Sequence, residues 1–161
     1  MKPRVFARGA FLVAGVKGSG DETAKAWGAF MKMNKLNPLT NIAGEEGYEI
    51  RMYPSEGPGE VHVGLAVKDA AVPPEYRVFP VPASTYAEFE IRPAKGYESS
   101  NADMNEWLAE NAGVYREVLL DGEHYAIEVY DTRYKGDKDP DSIVGILMPI
   151  VPVADPRDRL P

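Results

Sequence analysis

The sequence predicts an α+β fold: a tandem strand-helix-strand-strand duplication with pseudo-twofold symmetry, its antiparallel sheets and two main helices set around a ligand groove. Three observations carry the prediction. Segments of alternating apolar residues flank two stretches of helical period, and the same order occurs twice in 161 residues. Tyr48-Glu49-Ile50-Arg51-Met52-Tyr53 lines up with Tyr125-Ala126-Ile127-Glu128-Val129-Tyr130, sharing Tyr, Ile and Tyr in register. Between the copies stands Pro73-Pro74, stiff, extended and unsuited to the inside of a sheet. The whole of 1–161 therefore reads as one stand-alone domain, with half one at about 4–70, half two at about 76–152 and a tail over 153–161.

In chain order, Phe11–Val16 reads as a strand, with Gly15, Gly18 and Gly20 marking the turn out of it. A helix follows over Glu22–Leu36, capped by Ser19 or Asp21, with Ala26, Trp27, Phe30 and Met33 on one face. Asn37-Pro38 stops it. Strands Tyr48–Tyr53 and Val61–Val67 flank the Gly/Pro-rich turn between them. The second half opens with a strand at Thr85–Ile91. Its helix is capped by Ser99 or Ser100, carries Met104, Trp107 and Leu108 on one face, and ends at Gly113 in a left-handed cap. A Tyr115–Leu120 segment, the turn Asp121-Gly122 and strands Tyr125–Tyr130 and Ile143–Ile150 complete it.

Composition narrows the function. Against 25 Asp+Glu there are 18 Lys+Arg, a net charge of -7, which argues against direct nucleic-acid binding because a phosphate backbone needs a basic stripe. Cysteine is absent, which excludes disulfides, thiolate nucleophiles and Cys-ligated metal centres. No apolar run approaches the roughly 20 residues of a membrane span. Arg8 interrupts the only stretch that resembles a signal peptide, so a soluble, cytoplasmic chain is expected.

Glu128 is the most informative residue. It lies between Ile127 and Val129 on a strand, sharing a face with Ala126 and Tyr130. A strand glutamate is usually solvated. On the floor of an aromatic pocket it would instead select a cation or a hydrogen-bond donor, with its pKa raised by desolvation. Trp27, Tyr86, Trp107 and Tyr130 fall on elements near the junction of the halves, where core packing and pocket lining are both open. By the sequence repeat, Arg51 and Tyr53 occupy the places of Glu128 and Tyr130.

Other signals are weaker. Gly15-Val16-Lys17-Gly18-Ser19-Gly20 matches neither a phosphate loop nor a dinucleotide fingerprint. Asp137, Asp139 and Asp141 alternate as in a calcium loop, but Pro140 and the lack of the required glycine favour a polar hairpin tip. His62 and His124, the two histidines, have no metal-binding interval. No metal, no cofactor and no self-sufficient catalytic set is expected.

These residues resemble the GyrI-like (gyrase-inhibitor-like) effector-binding domains, within the SOUL/GyrI-type superfamily. Such domains occur alone and at the C-termini of AraC- and MerR-type multidrug-sensing regulators. Gly9-Ala10-Phe11-Leu12-Val13-Ala14-Gly15-Val16 leading to Ala26-Trp27 resembles the family's first strand and helix. Pro80–Glu90, with Ser84-Thr85-Tyr86-Ala87-Glu88-Phe89, is similar to its Tyr-Ala-x-Phe strand. Glu106-Trp107-Leu108, Ile127-Glu128-Val129-Tyr130 and Met148-Pro149-Ile150 resemble its C-terminal signature. The resemblance implies a groove that binds hydrophobic or amphipathic, often cationic aromatic, small molecules, with Glu128 facing the ligand and Trp107 and Tyr130 beside it. It also implies two alternatives: a hydrolase of electrophilic small molecules using a buried Glu128, and an inhibitor of a DNA-handling protein such as gyrase, which would make a protein the partner.

Overall fold

The computed structural model describes residues 2–154; the end of the expected tail, 155–161, lies outside the described residues. Its elements run β1 (Arg4–Arg8), β2 (Phe11–Ser19), α1 (Thr23–Leu36), β3 (Ile42–Tyr53), β4 (Glu60–Val67), β5 (Arg77–Val81), β6 (Ser84–Ile91), α2 (Glu98–Glu110), β7 (Tyr115–Glu117), β8 (His124–Tyr130) and β9 (Val144–Pro152). The strands form one antiparallel sheet in the order β1-β6-β9-β8-β3-β4-β2-β5, with β7 added beside β9. The fold is the predicted tandem α+β arrangement: β2-α1-β3-β4 and β6-α2-β8-β9 are related about the central β3–β8 pair.

Each copy also has a leading strand that sequence reading missed, and each leading strand pairs with the other copy. β1 runs beside β6, Phe6 opposite Tyr86, while β5 runs beside β2, Phe79 opposite Val13. Pro80 in β5 and the charged ends of β1 hide their strand character, and both strands lie at sheet edges, where these residues are tolerated.

The connections force the sheet to curl. β1 and β2 stand six places apart in the strand order yet are joined by Gly9-Ala10 alone. Six strand spacings in a flat sheet measure roughly 29 Å, whereas three Cα steps reach at most about 11 Å. Pro82-Ala83 makes the same short crossing from β5 to β6. The inner face of the curl carries one core shared by both halves, including Val13, Ile50, Val81, Tyr86, Tyr125, Ile127 and Leu147. The outer face carries both helices over separate clusters, α1 on Ala14, Val61 and Val63, and α2 on Phe89, Ile146 and Met148.

Several local readings change. β2 continues straight through Gly15 and Gly18 to Ser19. Gly15 sits opposite Gly64, where a Cβ on either would strike the other strand's backbone, so these glycines permit a close approach of strands rather than a turn. Neither helix has a side-chain N-cap: Ser19 bonds to Asp21, and the second helix starts after Tyr97. Gly113 does not adopt a left-handed conformation among the described residues; Asn111 closes α2 with backbone and side-chain bonds to the Trp107 carbonyl.

Register corrects the sequence repeat by two residues. The pairs run Val16–Val63–Glu49 across the first half and Phe89–Ile146–Glu128 across the second, meeting where Glu49 and Glu128 are directly opposed. Glu128 therefore corresponds to Glu49, not to Arg51. A shift of two leaves every side chain on its own face, so alternation alone cannot distinguish the two alignments.

Candidate functional site

The outer face between α2 and the central strands holds a cavity of about 730 Å³, lined among others by Glu49, Arg51, Tyr53, Tyr97, Met104, Glu128 and Tyr130. That size suits a small molecule. Strand alternation places Glu49 and Arg51 of β3 and Ala126, Glu128 and Tyr130 of β8 on this face together.

The two glutamates have different surroundings. Glu49 is 2% exposed, and both its oxygens are engaged. Trp27 Nε1 donates to Oε1 at 2.9 Å, and Arg51 Nη2 donates to Oε2 at 3.1 Å. Arg51 is itself fixed, donating to the Gly20 carbonyl and to Thr23 Oγ1, both at 2.6 Å. Although burial works against the guanidinium's charge, Glu49 holds its pKa above the ordinary value. The result is a locked ion pair beneath α1, with the Trp27 ring covering Gly47, where a Cβ would come within 3.1 Å of the indole.

Glu128 is half-buried and accepts one bond, from the Tyr130 hydroxyl at 2.7 Å. Burial, and then the neighbouring charge of Glu49, push its pKa up to about 8, against the lowering effect of Tyr130 and Arg51. Near neutral pH Glu128 therefore favours its protonated form. Burial and then Glu128 also hold the Tyr97 and Tyr130 hydroxyls above the usual tyrosine range, so both remain neutral donors. The cavity floor is a neutral acid that becomes an anion when its proton leaves, and Tyr97, Tyr130 and Met104 supply apolar contact.

A raised carboxyl pKa sets the direction of the pH effect on stability. From about 4.5 to about 8 the folded chain keeps a proton on Glu128 that the unfolded chain has released. This contribution is full below that interval and is lost as pH rises through about 8. Melting temperature is expected to fall over the interval more steeply in the wild type than in Glu128→Gln, and parallel curves would contradict the assignment.

The sequence-derived candidates divide. Glu128 and Tyr130 line the cavity. Trp27 lies behind its wall, bonded to Glu49 and meeting Tyr130 edge-on with ring centroids 5.6 Å apart. Trp107 packs between Phe89 and Tyr115 under α2, outside the lining. Tyr86 faces the inner core and shares a hydroxyl contact of 3.4 Å with Tyr125, so the sheet separates it from the cavity. Glu49 and Tyr97 were missed. For Glu49 a signal exists: Tyr48-Glu49-Ile50 repeats the flanked pattern of Ile127-Glu128-Val129. Tyr97 precedes α2 and has no periodic mark.

Glu117 and His124 form a close pair at the same cavity. Among the described residues no group of three His, Cys, Asp or Glu side chains could hold a metal ion, and no helix is long and apolar enough to cross a membrane.

The fold is shared with solved structures. No protein-family model matches the chain, and neither does any curated protein. Among the solved structures, SAV2435 bound to tetraphenylphosphonium is similar at 16% identity, covering 94% of each chain with a TM-score of 0.65. The C-terminal domain of EcmrR is similar at 14% identity, over 94% of this chain and 98% of that one, with a TM-score of 0.69. A hydrolase from Listeria innocua is similar at 16% identity, over 93% and 92%, with a TM-score of 0.52. The chain thus shares the fold of SAV2435 and of the EcmrR C-terminal domain, a likeness carried by the fold at 14–16% identity.

Proposed function

We infer that this protein is a GyrI-like effector-binding protein that takes hydrophobic cations, aromatic ones above all, into the cavity beneath α2. The observation that carries this reading is the opposed pair of glutamates on the cavity floor. Glu49 is spent on Arg51 and Trp27, while Glu128 turns a free acid toward an aromatic-walled space. Ring and methylene contact supplies affinity at roughly 25 cal/mol per Å² of apolar area buried, before ordering costs. An entering cation displaces the proton from Glu128, so charge is selected at the carboxylate. The tetraphenylphosphonium bound by SAV2435, which shares this fold, supports the ligand class.

Tetraphenylphosphonium at about 100 times its dissociation constant would add about 2.7 kcal/mol. A thermal-shift titration is expected to raise the melting temperature by several degrees, more at pH 8 than at pH 6. No shift at millimolar ligand would reject the reading.

One observation favours a second reading. A protonated Glu128 held by Tyr130 is a general acid ready beside a bound molecule. With a strained electrophile such as an epoxide, Glu128 would protonate the departing oxygen while water attacks the carbon, and the water's proton would return to Glu128. Diol formation that disappears in Glu128→Gln would favour this reading, whereas tight binding without product favours the first.

A further inference from the structure

The inner face of the sheet holds a second cavity, of about 810 Å³, at one open end of the curl. Its lining includes Phe6, Arg8, Tyr48, Val129 and Leu147. Tyr48, Val129 and Leu147 alternate with Glu49, Glu128 and Ile146, so the two cavities lie on opposite faces of the same strands.

The charges at this end are sorted. Arg4 bonds to Glu88 at 3.2 Å, and Arg133 takes Asp131 at 2.9 Å, Glu90 at 3.3 Å and Glu88 at 3.6 Å. Those two guanidiniums and three carboxylates are engaged with one another, with one net negative charge left over. The Glu46 carboxylate folds back against Gly44. Arg8 is different: no carboxylate among the described residues lies within ion-pair distance of it, although it is half-buried. Its guanidinium lies 3.8 Å from the Phe11 ring centroid and 5.2 Å from that of Tyr48, whose hydroxyl it contacts at 2.9 Å. Lys2 and Glu46, both also on the lining, carry opposite charges, so Arg8 is the cation whose direction is fixed and whose charge no carboxylate pairs among the described residues.

A guanidinium stacked on rings keeps its N–H edge for a planar oxyanion, and the stacking fixes its direction in advance. Beside it, Phe6, Val129 and Leu147 offer an apolar bed. We propose that this inner-face cavity is a second binding site, specific for small amphipathic carboxylates, with Arg8 gripping the carboxylate and the apolar bed taking the body. It is independent of the cation cavity and does not rest on that reading.

The test is isothermal titration calorimetry with 2-naphthoate and its uncharged isostere 2-naphthamide. Wild-type protein is expected to bind 2-naphthoate at least tenfold more tightly than 2-naphthamide. Arg8→Gln is expected to lose roughly ten- to hundredfold in naphthoate affinity, the range for a hydrogen bond to a charged group. Arg8→Lys, which keeps the charge and loses the fork, should fall between, and it serves as the readout should Arg8→Gln not melt cooperatively. Glu128→Gln should bind naphthoate as the wild type does. Equal binding of the two probes, no binding at millimolar naphthoate, wild-type affinity in folded Arg8 variants, or an equal loss in Glu128→Gln would each overturn the proposal. Because the Arg8 variants leave the outer cavity intact, their tetraphenylphosphonium binding separates failure of this site from failure of the cation reading.

Discussion

Glu128→Gln is expected to weaken tetraphenylphosphonium binding about a hundredfold at about pH 8.5, while triphenylphosphine oxide, neutral and of similar shape, binds as before. A unit charge about 6 Å from a carboxylate gains roughly 3 kcal/mol at the effective dielectric of a partly buried site, which corresponds to about two decades in affinity. Glutamine preserves the geometry, since its amide oxygen still accepts from Tyr130 and its amide nitrogen can donate toward Glu49. Calorimetry on both ligands isolates the charge. Equal losses would make Glu128 a packing residue, and unchanged cation affinity would remove it from the site. At pH 6 the gap between variant and wild type should narrow, because the proton on Glu128 competes with the ligand.

Glu49→Ala is expected to cost about 3–5 kcal/mol of stability, the range for breaking a buried ion pair by removing one partner. Truncation leaves Arg51 without its carboxylate and the Trp27 indole N–H without an acceptor. It also opens a void in the row Val16–Val63–Glu49–Glu128–Ile146–Phe89, at the centre of the sheet. Urea unfolding monitored by Trp27 and Trp107 fluorescence measures the loss, and a midpoint near wild type would show that the clamp contributes little. Glu49→Gln, which keeps an acceptor for Trp27, should lose less. Removing the Glu49 charge should also bring the pKa of Glu128 down toward the usual carboxylate range, visible as a flatter pH profile of stability.

The architecture was legible because both its periods are strong. Helix faces such as Ala26, Phe30 and Met104 and strands such as Thr85–Ile91 obey alternation or helical spacing, and each copy reinforces the other. The leading strands were illegible for a local reason. Arg4–Arg8 is five residues with an arginine at each end, Arg77–Val81 contains a proline, and their strand state is imposed by partners in the opposite copy. Glu128 stands out in the sequence because an isolated carboxylate in an apolar strand is conspicuous. Glu49 was overlooked because aligning the two copies on their tyrosines put Arg51, two residues on, in the place of Glu128; the register shows Glu49 there, with Arg51 paired to it. Tyr86 and Trp107 show the limit of composition: an aromatic residue near a junction can face either side of a sheet, and only register decides which.

The exchanged leading strands govern how the chain can be assembled as it is made. Arg4–Arg8 is translated well before Ser84–Ile91, its strand partner among the described residues. β2 likewise waits for Arg77–Val81 on its outer edge. The nascent first half therefore emerges with strand edges it cannot satisfy, and the two short crossings close only when both copies are present. Ordering over such sequence separations is slow in folding, and neither copy is a self-contained unit that could be excised. The duplication that doubled the sequence also made each copy the scaffold of the other.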